Sequence, residues 1–309
     1  MAFEVRLKNK SISEYVGNLT FGTSEDTLGM EASFDVVYRG KEIANVGDVI
    51  QIFKDKTRFF WGRIIDIQKD GKNPRKVTCF DNAFYLNENE AIIQFKNIQA
   101  DKAIEQLLDK YGISSRKITK LPYKIKKIYK GVKVSEIIKD ILEQCSKVSG
   151  AKYFFEMQDK TFVVAKRGFY EIKKYFNVIM NPSVTESMKN MKTRVIVTNS
   201  DGESIKSFIS LEDKNAIKKF GLLTKVEQID DKEKSKAKKI AQELLKSLNK
   251  IEITASLSLL GSINIQANRV IALKENTTGI VGKYYIKSAS HSVNAGTHIV
   301  SIEVGEFVG

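Results

Sequence analysis

Histidine is almost missing from this sequence. Only His291 and His298 occur, and no His-Glu-x-x-His pattern is present, which excludes a zincin-type protease. Cysteine is equally rare. Cys79 and Cys145 lie far apart, too few for a disulfide scaffold; they fit two buried thiols in a reducing compartment, the alternatives being a disulfide or a reactive thiol. Three prolines and no Gly/Ser tract leave no composition-defined flexible linker. No stretch approaches the roughly 20 apolar residues of a membrane helix. The start, Met1-Ala2-Phe3-Glu4-Val5-Arg6, has no apolar run behind its charges, so no secretory signal is expected and the chain is expected to be made in the cytosol and to stay soluble. Phosphate loops, Gly-x-Gly-x-x-Gly turns and Gly-x-Ser-x-Gly elbows are missing too.

What is present is a chain of 309 residues with 42% hydrophobic residues, enough for two or three domains with real cores. The formal charge is +14, and part of it is concentrated. Arg116, Lys117, Lys120, Lys124, Lys126, Lys127, Lys130 and Lys133 fall between Ser115 and Lys133 with no acid among them. Three readings compete: a solvated basic face, a contact for an acidic protein partner, and a nucleic-acid site. The last is weakened because only Tyr123 and Tyr129 interleave the lysines, too few for a stacking platform.

The first 95 residues read as β-structure. Phe3–Leu7, Glu31–Tyr38 and Val49–Phe53 are strand-like, and Phe59–Ile67 turns near Asp70-Gly71 to return along Lys76–Phe80. From about residue 96 to 172 the pattern changes. Asp101 is a candidate cap for a helix with Ala103, Ile104, Leu107, Leu108 and Tyr111 on one stripe and Gly112 after its end. Ile137, Ile138, Ile141, Leu142 and Cys145 form the stripe of a second helix that stops before Gly150, and a hairpin about Gln158-Asp159-Lys160 follows. Residues 173–309 are β again, with a clear strand at Thr193–Thr198 and a third helix over 232–248. The fold class expected is therefore α+β, mainly β: two tube-like β-barrel domains at 1–95 and 173–309, and a small α+β domain at 96–172 between them.

An internal echo supports the pairing of the two ends. Val49-Ile50-Gln51-Ile52-Phe53-Lys54 precedes Thr57 and Gly62-Arg63; Val270-Ile271-Ala272-Leu273-Lys274 precedes Thr277 and Gly282-Lys283. Strand, short turn, bend-permitting Gly and returning strand make a unit of a small barrel, so Gly62 and Gly282 are expected at equivalent places. If Ala295-Gly296 is a two-residue turn, Val293 faces His298 and His291 lies diagonal to it on the same face. Two imidazoles alone fall short of a zinc site, so the pair reads as structural. Carboxylates are plentiful, but no constellation assigns them to a glycosidase pair. No catalytic, cofactor-binding or metal-binding residue is assigned.

Three segments carry a resemblance. They are Val46–Ile52 with Phe60-Trp61-Gly62-Arg63-Ile64 and Thr78–Leu86; Ser187–Val197; and Gly282–His291 followed by Gly296-Thr297-His298 and an apolar closing strand. In this order they resemble the PBSX-type hub family (XkdQ/YqbQ), relatives of the late control protein D and of myophage tail hubs, over nearly the whole chain. One position departs: Thr193 stands where the family's Met-x-Asn-Arg-Val run has Asn. The resemblance implies a non-enzymatic baseplate hub of a contractile phage, prophage or tailocin tail, located in the tail particle. It implies a homotrimer with two tube-like barrels per chain, adapting a hexameric tail tube to a trimeric central spike. The partners implied are the tail tube protein, the spike protein, other baseplate proteins and the tape-measure protein, with no cofactor, no membrane and no specific nucleic acid. The competing classes are a cell-wall-binding or peptidoglycan-lytic tail module and a basic nucleic-acid-binding protein.

Overall fold

The computed structural model describes residues 3–177, 179–200 and 206–307. The chain is mainly β with a smaller helical share, 52% strand against 20% helix. Five α-helices are described: α1 (Ala83–Glu88), α2 (Ala100–Lys110), α3 (Val134–Ser149), α4 (Lys214–Phe220) and α5 (Ala237–Leu248). Thirteen strands join into one sheet that draws on both ends of the chain.

That sheet contains the same six-strand pattern twice. In the first copy the strands are, in chain order, Phe3–Leu7, Val16–Ser24, Glu31–Val36, Val49–Lys54, Thr57–Gln68 and Arg75–Asp81. In the second they are Tyr170–Phe176, Met180–Ser187, Glu252–Leu260, Arg269–Glu275, Ile280–Asn294 and Thr297–Phe307. Both rows run first, fourth, fifth, sixth, third, second. The first strand is the exception to the match: it pairs antiparallel in the first copy and parallel in the second.

The match extends to single residues. The ladder between fifth and sixth strands skips a residue between Ile64 and Asp66 in the first copy and between Ile286 and Ser288 in the second. Ile64 faces Cys79 and Ile286 faces Val304, all four buried. The sixth strands then place Ala32 opposite Cys79 and Ala255 opposite Val304. The second strands repeat a bulge between Gly17 and Thr20 and between Met180 and Ser183. Inside each bulge an asparagine takes a left-handed backbone, Asn18 at φ 50° and Asn181 at φ 49°. Asn tolerates that region better than most residues. Bulges at fixed positions are features of a fold rather than accidents, and two in common tie the copies together.

This register corrects one expectation. Ile50 faces Gly62, whereas its counterpart Ile271 faces Tyr284, and Gly282 faces Leu273 two rungs away. The two glycines are not equivalent. Gly62 is required by crowding, since a Cβ there would lie 2.2 Å from the Phe80 carbonyl oxygen. Gly282 instead has a φ of +127°.

Neither copy closes on itself among the described residues, because its first and second strands stand at opposite ends of the row. The second strand of the first copy pairs with the fifth strand of the second copy, Leu19–Ser24 against Ser288–Val293. The long strand Ile280–Asn294 thus serves two neighbours on one edge: the fourth strand of its own copy over Ile280–Tyr285, then the first copy.

Between the copies sits an α+β unit. Its core includes Ala83, Leu86, Ala91 and Phe95 ahead of residue 96, together with the buried stripes of α2 and α3. Asp101 does not cap α2: Gln99 holds the N-cap position, and Asp101 lies in the first turn, where its charge complements the helix dipole. Gly112 and Gly150 follow their helices with left-handed backbone, as expected. The strand Thr193–Thr198 belongs to a second small unit, Arg194–Asn199 pairing with Ser207–Glu212 and Thr224–Ile229 beneath α5. This unit enters the second copy between its second and third strands, where the first copy has only the loop from Glu25 to Met30. The first five residues of the expected third helix lie in a 3-10 turn, Asp231–Lys236, leading into α5.

The residue-level match predicts matched energetics. Ile64→Ala and Ile286→Ala should each cost about 2–5 kcal/mol, the range for a large side chain deleted from a packed core. Thermal unfolding should show both losses; a variant melting like the parent would refute the matched core role of that position.

Candidate functional site

The place where the copies meet is built around the chain's two histidines and three of its phenylalanines. Phe21, on the first copy's second strand, stacks on His291 with ring centroids 4.3 Å apart and planes 8° from parallel. Phe3 and Phe59 pack around them. His298 sits opposite Val293 across the Ala295-Gly296 turn, as the sequence predicted. The two imidazoles are on one face, with His291 Nδ1 2.9 Å from His298 Nε2.

A single proton arrangement satisfies this cluster. The Ile265 carbonyl only accepts, so His291 Nε2, 2.8 Å away, donates to it. His291 Nδ1 is then an acceptor and receives the proton of His298 Nε2. His298 Nδ1 in turn accepts from Lys54 Nζ at 3.2 Å. A one-way chain therefore runs from a lysine of the first copy, through two neutral imidazoles, to a backbone carbonyl of the second. Burial pushes both imidazoles down, His291 to about 3 and His298 to about 4, and the Lys54 charge adds to this. Gly261 makes room, since a Cβ there would lie 2.2 Å from the His298 ring.

Further contacts cross the same seam. Ala267 N–H donates to Thr23 Oγ1 and Glu25 N–H to the Lys287 carbonyl. Gly22 meets the Ala289 carbonyl so closely that an added Cβ would be 3.0 Å away. The middle unit fastens both sides with one hairpin, Tyr153–Gln158 with Thr161–Lys166. Asp159 at its tip binds the Arg58 guanidinium of the first copy through both oxygens, at 2.7 and 2.9 Å. Lys160 lies over Trp61 of the first copy, 4.3 Å from the ring centre. Glu156 pairs with Arg269 of the second copy at 2.6 Å, both side chains largely buried.

The basic run does not form one patch. Arg116 pairs with Asp109, Lys127 with Asp140 and Lys133 with Glu88. The rest stands mainly on a two-stranded ribbon, Lys124–Lys133 against Glu90–Gln99. Its outer face sets Lys126 opposite Lys96, Ile128 opposite Gln94 and Lys130 opposite Ile92. Ile92 is 75% exposed and Ile128 54%, so this face is an apolar strip edged by lysines. Tyr129 is buried against Phe95, and Tyr123 lies beneath Lys236. Neither presents a free ring face for a base.

The two thiols, Asp81 and Glu252 are held in structural roles. Cys79 and Cys145 are free thiols, both buried; burial pushes their ionisation up, that of Cys145 to about 11, so neither is a ready thiolate. Burial raises Asp81 to about 7, yet its oxygens accept from the Met30 and Ala83 peptide N–H groups at 2.7 and 2.8 Å. It fastens the entry to α1 rather than facing a cleft. A cleft of about 820 Å³ between the second copy and the inserted unit includes Glu252. That carboxylate accepts from Lys287 at 3.0 Å and from Asn190 at 2.8 Å, so it is paired rather than poised for proton transfer. Among the described residues no three His, Cys, Asp or Glu side chains gather as a metal site, and no helix is long and apolar enough to cross a membrane.

Residues 19–305 match the YQBQ-like family. The chain belongs to that family. This chain shares a fold with solved tail proteins at low identity. The 43 kDa tail protein of prophage MuSo2 from Shewanella oneidensis superposes with a TM-score of 0.75 at 11% identity, over 98% of this chain and 97% of that one. A tail protein from Neisseria meningitidis MC58 gives 0.74 at 13% identity, over 99% and 96%. The E. coli c3393 protein, a type VI secretion component described as structurally similar to T4 tail proteins gp27 and gp5, gives 0.60 at 10% identity, over 99% and 79%. No curated protein matches the sequence. Thr193, where the resemblance leads to an expectation of Asn, has its hydroxyl fully engaged: it donates to the Gly221 carbonyl and accepts from Leu223 N–H. The departure leaves no buried polar group unpaired there.

The junction predicts a pH dependence of definite sign. Both imidazoles are neutral when folded and bind protons near pH 6.5 when unfolded. Their contribution is complete above that pH and is lost as pH falls toward the depressed folded values of about 3 and 4. The slope is at most about 1.4 kcal/mol per pH unit for each imidazole. Asp81, raised to about 7 in the folded chain, titrates with the opposite sign and offsets part of this loss. The melting temperature should therefore fall between pH 6.5 and 5 by less than two imidazoles alone would give, and should fall less still in His298→Gln. The same change of melting temperature in the parent and in His298→Gln over that interval would contradict the neutral chain.

Proposed function

We propose that this YQBQ-like chain is a structural hub in the baseplate of a phage-type contractile tail. On this reading it is a trimer that adapts a six-fold tail tube to a three-fold central spike. The observation that carries the reading is the repeat. One chain holds two copies of a six-strand row with the same order, two bulges in common and matched buried residues beside them. Two near-equivalent copies per chain turn three chains into six near-equivalent positions, which is what a joint between three-fold and six-fold rings requires. Each copy is inferred to form one wall of a tube-like barrel that is completed in the ring. Family membership and the fold shared with solved tail proteins point the same way.

The work of such a hub is binding, not turnover. Among the described residues every buried side-chain nitrogen and oxygen has a hydrogen-bond partner. A peptidoglycan zymogram of the full chain should therefore show no clearing. The lysine-edged strip with Ile92 and Ile128 is assigned to the outside of the ring, toward neighbouring baseplate proteins, because a basic bore would hold any passing nucleic acid through its phosphates. The tube protein and the spike occupy the two axial faces, and the tape-measure protein the bore.

Cryo-electron microscopy of intact tail particles tests this directly. Three copies of the chain should occupy one ring, with first and second copies of the strand row alternating around it. Six chains in a ring, or rows that do not alternate, would defeat the adaptor reading.

A further inference from the structure

The sheet leaves two edges open, and the fold itself contains a pattern for joining them. Within the chain, the second strand of the first copy pairs with the outer end of the fifth strand of the second copy. The reciprocal pair is unmade. The second strand of the second copy, Met180–Ser187, has a neighbour on one side only, Glu252–Leu260. In the first copy, the fourth strand stops alongside Arg63, and loop residues Gly47 and Asp48 satisfy Ile64. Beyond Ile64, the fifth strand pairs only with the sixth, through Asp66, Ile67 and Gln68. Among the described residues nothing pairs with its other side.

We infer that these edges bind each other between chains: Ser187, Glu186 and Thr185 of one chain pair antiparallel with Asp66, Ile67 and Gln68 of a second copy of this chain. The occupant is a second copy because the template lies inside each chain, and the inference rests on the hub reading above. The register follows from the equivalences. Ser24 faces Ser288, Thr23 faces Ala289 and Gly22 faces Ser290 in the internal junction. The shared bulges and the third and sixth strands equate Ser24, Thr23 and Gly22 with Ser187, Glu186 and Thr185. They equate Ser288, Ala289 and Ser290 with Asp66, Ile67 and Gln68. Backbone groups left unpaired on a strand edge seek a partner strand. Here the interacting patches differ, so the contact is head-to-tail and extends until the rotation closes a ring.

The short first-copy hairpin limits the match. Its fifth strand ends at Gln68, whereas the second copy's fifth strand runs on to Asn294. The inter-chain ladder is therefore three rungs against six inside the chain. The aromatic and histidine contacts of the internal seam have no counterpart, since Phe21 is replaced in the equivalent position by Val184.

Paired cysteines test the register in the full-length chain. Facing Cα atoms in an antiparallel ladder lie about 4.5–5.5 Å apart, within disulfide reach. Asp66→Cys with Ser187→Cys, and separately Ile67→Cys with Glu186→Cys, cover both kinds of facing pair. The native thiols, Cys79 and Cys145, are buried. Under mild oxidation in assembled tail particles, at least one pair should convert most of the chain to a covalent trimer, and the single substitutions should not. The melting temperature of each reduced variant, matching the parent, verifies folding. Three chains per ring with no cross-link in either folded pair would overturn the register and leave the hub reading standing. A ring without three chains would overturn both. An indefinite covalent ladder would overturn closure.

Discussion

The rest of the molecule depends on six rungs of backbone pairing, Leu19–Ser24 against Val293–Ser288. Without them the chain would hold two separate sheets joined only by side-chain contacts and by the hairpin of the middle unit. With them, the strand Ile280–Asn294 belongs to both copies at once. The hairpin of the middle unit exploits this: Asp159 reaches Arg58 in one copy while Glu156 reaches Arg269 in the other. Two ion pairs on one short hairpin can both be made only if the copies are already fixed in relation to each other. The buried pair, Glu156 with Arg269, would be costly to separate, since either charge alone would remain in a poorly solvated place.

The two copies also show what the pattern tolerates. A change of direction in the first strand is accepted at the end of the row, where it has one long neighbour and, in the first copy, only the two-residue strand Lys10–Ser11 on its other side. An entire α/β unit is accepted at the turn between second and third strands. Hairpin tips and loops admit insertions because the paired backbone on either side is untouched. The inserted unit keeps its own core around Val195, Val197, Ile240 and Ala241, so it adds mass without repacking the sheet. Its ties to the middle unit are polar and peripheral: Lys147 with Glu227, and Lys239 with the Val148 carbonyl.

Alternation and helical spacing made much of this legible in the sequence. The strands at Phe3–Leu7 and Val49–Lys54, the stripes of α2 and α3, and the turn at Ala295-Gly296 follow directly from side-chain period and turn chemistry. The strand Val16–Ser24 was not legible. Gly17, Asn18 and Gly22 interrupt its alternation, and Leu19 and Phe21 alone carry the buried face. The same Gly22 that hides the strand permits the close approach at the seam. The basic ribbon was hidden for a different reason: one face of Lys124–Lys133 is solvated, and lysines there mask the strand period kept by Ile125 and Tyr129. The echo between the copies was visible but misaligned, because a shared glycine looked like a landmark while the true landmark, a bulge beside Ile64 and Ile286, has no residue signature.

Strand pairing through backbone alone specifies direction but holds register weakly, and a slip of one residue turns every side chain to the opposite face. At the internal seam the side chains forbid that slip. Moving by one rung would carry Phe21 off the His291 ring and separate Lys54 from His298 Nδ1 and Thr23 Oγ1 from the Ala267 N–H, each lost hydrogen bond costing about 1 kcal/mol. At the open edges the corresponding residues are Thr185, Glu186 and Ser187 against Asp66, Ile67 and Gln68, with no ring to stack and no imidazole to strand. The two kinds of junction therefore differ in strength by design of the sequence. The internal one closes as the chain folds, at the effective concentration of a tethered strand. The external one, if it is the ring contact inferred above, needs neighbouring chains held close by a tube or a spike before three rungs suffice. Chains of this kind would stay separate when dilute and would close a ring only on the particle that requires one.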